Sequence, residues 1–249
     1  MVETTSEILV SAREVEKVYK TGEVEARALA GVNLEIKKGD FVAIVGPSGS
    51  GKTTLLNLIG ALDSVTGGEL LVLGMDMAKL SRHERADMRL KSLGFVFQAY
   101  NLVPVLTAVE NVEFVLELQG ETPGNERRKR AMEVLIQLGL GEFCNRRPSE
   151  LSGGQQQRVA VARAVASMPS LVLADEPTAN LDGENAEVLL NMMKDLNRVK
   201  GTTFIFSTHD PRVVAHARRV VTLVDGRVAK DEKGSPDNNR LNDKSSGVK

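Results

Sequence analysis

The sequence predicts an α/β fold in which buried strands alternate with helices and one stretch between the strands is wholly helical. Three observations carry that expectation. Residues 41–45 (FVAIV) form a continuous apolar run that ends in glycine, as a strand buried on both faces does. Apolar runs recur at 171–174, 203–207 and 220–224. Between about residues 100 and 168 the apolar period changes from that of a strand to that of a helix.

The individual elements follow from local signals. Residues 8–36 read as strands, with Val32, Leu34 and Ile36 alternating with polar neighbours on a half-buried sheet. Asp225-Gly226 after the run at 220–224 marks a hairpin turn leading into Arg227 and Val228. In the helical stretch, Thr107 and Glu110 have capping-box spacing, and Val109, Val112 and Leu116 share one face. A second helix carries Ala131, Val134, Leu135 and Leu138 on one face and stops at Gly139. Residues 231–249, with one leucine and one valine, have the composition of a disordered tail.

Composition narrows the function classes. A net charge of −1 argues against a nucleic-acid binder that works through a basic surface. The single cysteine, Cys144, excludes an intramolecular disulfide and fits a reducing compartment. No apolar run approaches the roughly 20 residues that cross a bilayer, and the acidic start MVETTSEILV lacks the layout of a signal peptide. A membrane role would therefore come through a membrane partner.

Residues 46–54, GPSGSGKTT, lie between the strand at 41–45 and the apolar helix start LLNLI. That context gives the G-x-x-x-x-G-K-[ST] spacing its meaning as a phosphate-binding loop. In the loop Gly46, Pro47, Ser48, Gly49, Ser50 and Gly51, the glycines let backbone N–H groups converge on phosphate oxygens with no Cβ in the way. Lys52 supplies a point charge for the β- and γ-phosphates, Thr53 a hydroxyl for Mg²⁺, and Thr54 continues the helix start. Downstream, LVLADE at 171–176 delivers two carboxylates at a strand end. Asp175 suits Mg²⁺, held through water, and Glu176 suits polarisation of an attacking water. LSGGQ at 151–155 places Ser152 as a helix cap, with Gln155 completing a capping box around Gly153 and Gly154. Such a helix start is a second anion site. One active site does not need two, but two copies docked head to tail use both.

With that string the chain resembles the ATP-binding subunit of an ABC transporter, its motifs standing in family order from about residue 8 to 230. The resemblance implies a P-loop NTPase (RecA-like) core with an antiparallel β subdomain and an inserted α-helical subdomain at about 100–168. It implies ATP and Mg²⁺ as ligands and a homodimer as the working form. Further residues take roles from it: Gln98 after GFVF, for Mg²⁺ or the lytic water; His209 in STHD, for the γ-phosphate and for holding Glu176; Tyr19 in VYKTG, for stacking on adenine; and Asp182 in ANLD, for linking two sites across the dimer. Ser152 and Gly154 would meet the γ-phosphate held by the opposite subunit. Ala179 stands where glycine is common, which bears on backbone freedom at that interface.

LIGALD, FQAYNLVPVLTAVENV and LSGGQQQRVAVARA resemble the lipoprotein-releasing (Lol-type) and macrolide-export (MacB-type) branch. That branch implies integral membrane permease subunits with large extracytoplasmic domains as partners, no nucleic acid, and a peripheral place on the cytoplasmic face of the inner (plasma) membrane. Val103, Val105 and Leu106 around Pro104 either form a groove for a short helix of that partner or pack inside the helical subdomain. The rival class is a soluble ABC ATPase of DNA repair, chromosome handling or translation. It is disfavoured because the chain has no second cassette, long coiled coil or zinc module.

Overall fold

Two 14-residue strands open the chain, β1 (Ile8–Thr21) and β2 (Val24–Lys37), paired antiparallel. A computed structural model of the protein describes residues 7–22, 24–120 and 123–234. The register sets Val10 opposite Ile36, Ala12 opposite Leu34 and Val15 opposite Val32, so the expected alternation buries one face. Strands β4 (Gly67–Val72) and β5 (Met75–Asp76) complete a four-stranded antiparallel sheet in the order β2-β1-β4-β5.

The second sheet has six strands in the order β10-β9-β3-β8-β7-β6. Strands β3 (Phe41–Val45), β6 (Leu93–Val96), β7 (Leu171–Asp175), β8 (Thr203–Ser207) and β9 (Arg219–Val224) run parallel. Ile44 pairs with Ser207, Ser207 with Asp175, and Ala174 with Val96. The carboxyl ends of four neighbouring strands therefore finish side by side, which is where parallel sheets bind ligands.

Strand β10 (Arg227–Lys233) returns antiparallel to β9 through Asp225 and Gly226, both at positive φ (46° and 71°), as a two-residue hairpin turn requires. This corrects the expectation that chain order ends at 230. Residues 231–233 are strand, and Asp231 takes both oxygens to the Arg219 guanidinium at 2.8 and 2.6 Å. The rest of the expected tail, 235–249, lies outside the described residues.

Helix α1 (Lys52–Ile59) follows β3 and buries Leu55, Leu56, Leu58 and Ile59 between the two sheets. Helix α2 (Arg82–Ser92) leads into β6. Helices α3 (Ala108–Gln119), α4 (Gly124–Gln137) and α5 (Gly153–Ala166) pack on one another between β6 and β7. The Thr107–Glu110 capping box is present, and Val109, Val112, Leu116, Ala131, Val134, Leu135 and Leu138 form their core. Helices α6 (Gly183–Lys200) and α7 (Pro211–His216) follow β7 and β8.

Candidate functional site

Strand β3 delivers the glycine-rich loop, and steric demand explains its glycines. Gly46, Gly49 and Gly51 sit at φ 151°, 79° and 101°. A Cβ on Gly46 would lie 2.1 Å from the Leu223 carbonyl oxygen, and one on Gly51 would lie 2.5 Å from that of Ala28. The Lys52 ammonium folds back over the loop, donating to the carbonyls of Gly46 at 2.8 Å and Pro47 at 3.0 Å. The Ser50 N–H closes the turn onto Pro47 at 3.2 Å. Its buried hydroxyl has no hydrogen-bond partner among the described residues. Pro47, Ser48 and Gly49 are exposed, and Thr54 is half-buried in the first turn of α1.

Strand β7 ends beside that loop. The Thr53 hydroxyl donates to both oxygens of Asp175 at 3.3 Å. Glu176, the next residue, adopts a left-handed φ of 47°, a conformation rare outside glycine. Its N–H donates to the Ser207 carbonyl at 2.8 Å. Its carboxylate is held at both ends: Oε1 lies 2.7 Å from His209 Nδ1, and Oε2 accepts from the Thr208 hydroxyl at 3.1 Å. If the carboxylate accepts, the imidazole donates to it through Nδ1. The Glu176 side chain is 17% exposed and that of His209 76%.

A buried network stands behind this pair. Thr178 donates to Asp210 Oδ2 at 2.6 Å, and the Arg212 guanidinium spans both Asp210 oxygens at 2.8–3.1 Å. Burial alone would raise the Asp210 carboxyl, but Arg212, Thr178 and the Arg212 N–H hold it down at about 2. The Asp210 N–H in turn bonds the Thr208 hydroxyl at 2.9 Å, tying the network to the residue that holds Glu176.

Ser152 caps α5 with Gln155. The Gln155 N–H reaches the serine hydroxyl at 3.3 Å, and the Gln155 side chain accepts from the Ser152 N–H at 2.9 Å. The glycines between them are packed closely. A Cβ on Gly154 would meet Asn185 Oδ1 at 2.7 Å, and one on Gly153 the Tyr100 hydroxyl at 2.9 Å. Asp182 caps α6, bonding the Asn185 N–H at 2.9 Å and its side-chain amide at 2.8 Å. Asn180 donates to the Gln98 carbonyl at 2.9 Å, and the Ala179 N–H donates to the Glu176 carbonyl at 3.2 Å. The Gln98 side chain is exposed beyond the end of β6. Among the described residues, no hydrogen bond joins residues 152–155 to the phosphate loop.

Tyr19 stands near the end of β1, half-exposed, beside Thr54. Its hydroxyl donates to Asp63 Oδ2 at 2.9 Å; burial and then that carboxylate raise the phenol above its usual range. The structure thus forms three groups. The phosphate loop, Thr53 and Asp175 form one, with Glu176, Thr208 and His209 adjoining; the Ser152 helix start, Gln98 and the 179–182 turn form the second; Tyr19 with Asp63 forms the third, against the Thr54 edge of the first. Thr208 and Asp63 were missed in the sequence, although Thr208 precedes His209 and Asp63 falls inside the LIGALD string.

A groove of 470 Å³ lies between α2, β6, α3 and α5, lined by Leu62, Phe95, Phe97, Val103, Phe114 and Leu118 among others. Leu62, Phe114 and Leu118 are exposed there. Val105, 72% exposed, and Leu106 are not among its lining residues. No described helix is long and apolar enough to cross a membrane.

The sequence profile of the ABC transporter family matches residues 29–179. The ABC transporter ATP-binding protein MJ0796 of Methanocaldococcus jannaschii is 47% identical over 228 residues, covering 90% of this chain and 97% of its own. The lipoprotein-releasing system ATP-binding protein LolD of Anaeromyxobacter dehalogenans is 46% identical over 231 residues, covering 93% and 97%. The macrolide export ATP-binding/permease protein MacB of Syntrophobacter fumaroxidans is 46% identical over 228 residues, covering 91% of this chain but 32% of the longer MacB chain. The dimeric post-hydrolysis structure of MJ0796, bound to ADP and Pi, matches with a TM-score of 0.84 over 91% of this chain and 99% of that one.

Proposed function

Because the chain belongs to the ABC transporter family as an ATP-binding, ATP-hydrolysing subunit, we propose that it powers a separate membrane permease through nucleotide-driven pairing of two copies. The observation that carries the hydrolytic half is the Glu176 carboxylate, held at 2.7 Å by His209 and 3.1 Å by Thr208 next to the Thr53–Asp175 pair.

In this reading residues 46–54 cradle the phosphates with backbone N–H groups, and the Lys52 ammonium exchanges the Gly46 and Pro47 carbonyls for phosphate oxygens. The residues present fit Mg²⁺: the Thr53 hydroxyl and the Asp175 carboxylate converge as hard oxygen donors, and Gln98, two residues past the end of the neighbouring strand, would turn its amide oxygen toward them. An ion held by these residues would neutralise charge developing on the phosphates. Glu176 takes a proton from the attacking water, and His209 and Thr208 fix its direction. Tyr19 serves as the platform for the base.

Ser152, Gly153, Gly154 and Gln155 serve the site of a second copy, and Asp182 lies at the same interface. The separation of the serine-led helix start from the phosphate loop within one chain supports this, as does the dimer formed by the related MJ0796 cassette. The proposed permease seats a short helix in the apolar groove over Phe95, Phe97 and Phe114. Kinship to LolD and to the ATP-binding portion of MacB favours a permease with large extracytoplasmic domains, served from the cytoplasmic face of the inner membrane. Lipoprotein release and export are its candidate cargo routes. A photocrosslinker at Leu118 in native membranes, with the crosslinked band identified by mass spectrometry, tests the docking. A permease adduct is expected, and a crosslinker at Ile136, exposed on α4 outside the groove lining, is expected to give none. Equal capture from both positions would remove the groove from the assignment.

A further inference from the structure

Tyr19 does not stand free beside the phosphate loop. Asp63, just beyond α1, accepts the Tyr19 hydroxyl on Oδ2 at 2.9 Å and the Lys17 ammonium on Oδ1 at 2.6 Å. The same Oδ1 accepts the Ser64 N–H at 2.7 Å, and Lys17 also donates to the Ser64 carbonyl at 2.8 Å. Lys17 belongs to β1, two residues before Tyr19, and its side chain is only 8% exposed. Lysine is almost never buried unless paired. Its ammonium also lies 4.8 Å from the centre of the Tyr19 ring, a cation–π distance.

An ordinary structural role would be to tie the loop after α1 to β1. Thr66 already does that: its hydroxyl accepts the Val18 N–H at 3.0 Å and donates to the Glu16 carbonyl at 3.2 Å, and its own N–H bonds that carbonyl at 3.0 Å. What Asp63 adds is a charged fixed point for the tip of the ring, beside the Thr54 hydroxyl that also bonds it. A half-exposed tyrosine on a strand turns freely about two bonds, and a stacking surface must stop turning before it binds. With its hydroxyl pinned and Lys17 over one face, the ring presents its other face in a single orientation.

We propose that Asp63, held by Lys17, is the residue that positions the Tyr19 ring for the nucleotide base, and so sets the affinity for ATP without entering the hydrolytic step. The inference rests on the reading of Tyr19 as the base platform. Asp63 touches no reacting atom; its effect passes through the ring.

The test measures ATP and inorganic tripolyphosphate binding to the full chain by calorimetry with Mg²⁺, alongside steady-state hydrolysis. Tripolyphosphate occupies the loop but has no base. Asp63→Ala is expected to weaken ATP binding roughly three- to tenfold, the range for releasing one ordered side chain. KM should rise with it, while kcat and tripolyphosphate affinity stay as in the wild type. The double variant Lys17→Met/Asp63→Ala, which leaves no buried unpaired ammonium, is expected to show the same loss and secures the result if the single variant folds poorly. Adding Asp63→Ala to Tyr19→Ala should cost nothing more. An unchanged ATP affinity in the Asp63 variants, or an equal loss for tripolyphosphate, overturns the positioning role. If Tyr19→Ala itself leaves ATP affinity unchanged, it is the base-platform reading that falls.

Discussion

Glu176→Gln isolates the proton-accepting step, because the structure predicts that little else will move. The amide is the same size as the carboxylate, and its oxygen still accepts from Thr208 Oγ1, now 3.1 Å from Oε2. Its NH₂ can face His209 once the imidazole proton shifts from Nδ1 to Nε2. The charge-assisted bond to His209 becomes a neutral one, a change of about 1 kcal/mol, or a fall in Tm of roughly 2–4 °C for a chain of this size. Loss of the base should cost about 10²–10⁴-fold in kcat, equivalent to roughly 3–5 kcal/mol of barrier. The phosphate loop is untouched, so ATP affinity should match the wild type. Single-turnover phosphate release, ATP calorimetry and size-exclusion chromatography with ATP report these separately, and the last should show a dimer that persists. A variant with kcat within tenfold of wild type would refute Glu176 as the base. One that lost ATP affinity in parallel with kcat would show that the side chain serves the fold of the site instead.

Other perturbations read other parts of the site. Lys52→Ala removes the ammonium that now bonds Gly46 and Pro47; ATP affinity should fall roughly ten- to a hundredfold, the worth of a charge-assisted bond, and calorimetry showing no change would contradict the assignment. Gly46→Ala puts a Cβ 2.1 Å from the Leu223 carbonyl at a φ of 151°; a loss of about 1–3 kcal/mol in denaturant unfolding is expected, and a neutral substitution would mean that the loop relaxes easily. Asp210 has a folded-state pKa of about 2 against an ordinary 3.8. A carboxyl lowered on folding contributes stability that is complete above its unfolded value and is lost as pH falls through the folded one. About 2 kcal/mol should therefore disappear between roughly pH 4 and 2, and Asp210→Asn should flatten that part of a stability–pH curve.

Much of the site was legible because its chemistry imposes strings on the chain. A strand of five apolar residues, a glycine turn and a lysine can hardly be rearranged and still hold phosphate, so β3 and residues 46–54 stand out. The Asp175–Glu176 pair is readable as a strand end, but the left-handed backbone of Glu176 is not, since nothing in its neighbours announces it. Thr208 escaped for another reason: its contact with Glu176 arises from the register that sets Ser207 opposite Asp175, a long-range fact. Helix α2 offered no apolar stripe, because Met88 alone among its residues is buried. The last three residues of β10, 231–233, read as tail for a related reason. β10 is an edge strand exposed along nearly its whole length, held by backbone pairing and by Arg219, so alternation has nothing to record.

Arg163 gives the helical region a mechanical property. Its guanidinium donates to the carbonyls of Tyr100 and Asn101, and with Ala164 and Ser167 it forms one bank of the apolar groove. The helix that supplies this bank is the one that begins at Ser152. At 1.5 Å per residue, about 16 Å of unbroken α5 joins the two. A helix over that distance is a stiff element, so a tilt imposed at the groove would displace the serine end with it, and a shift at the serine end would tilt the groove. Transmission in either direction then requires no relay of rotamers along the way.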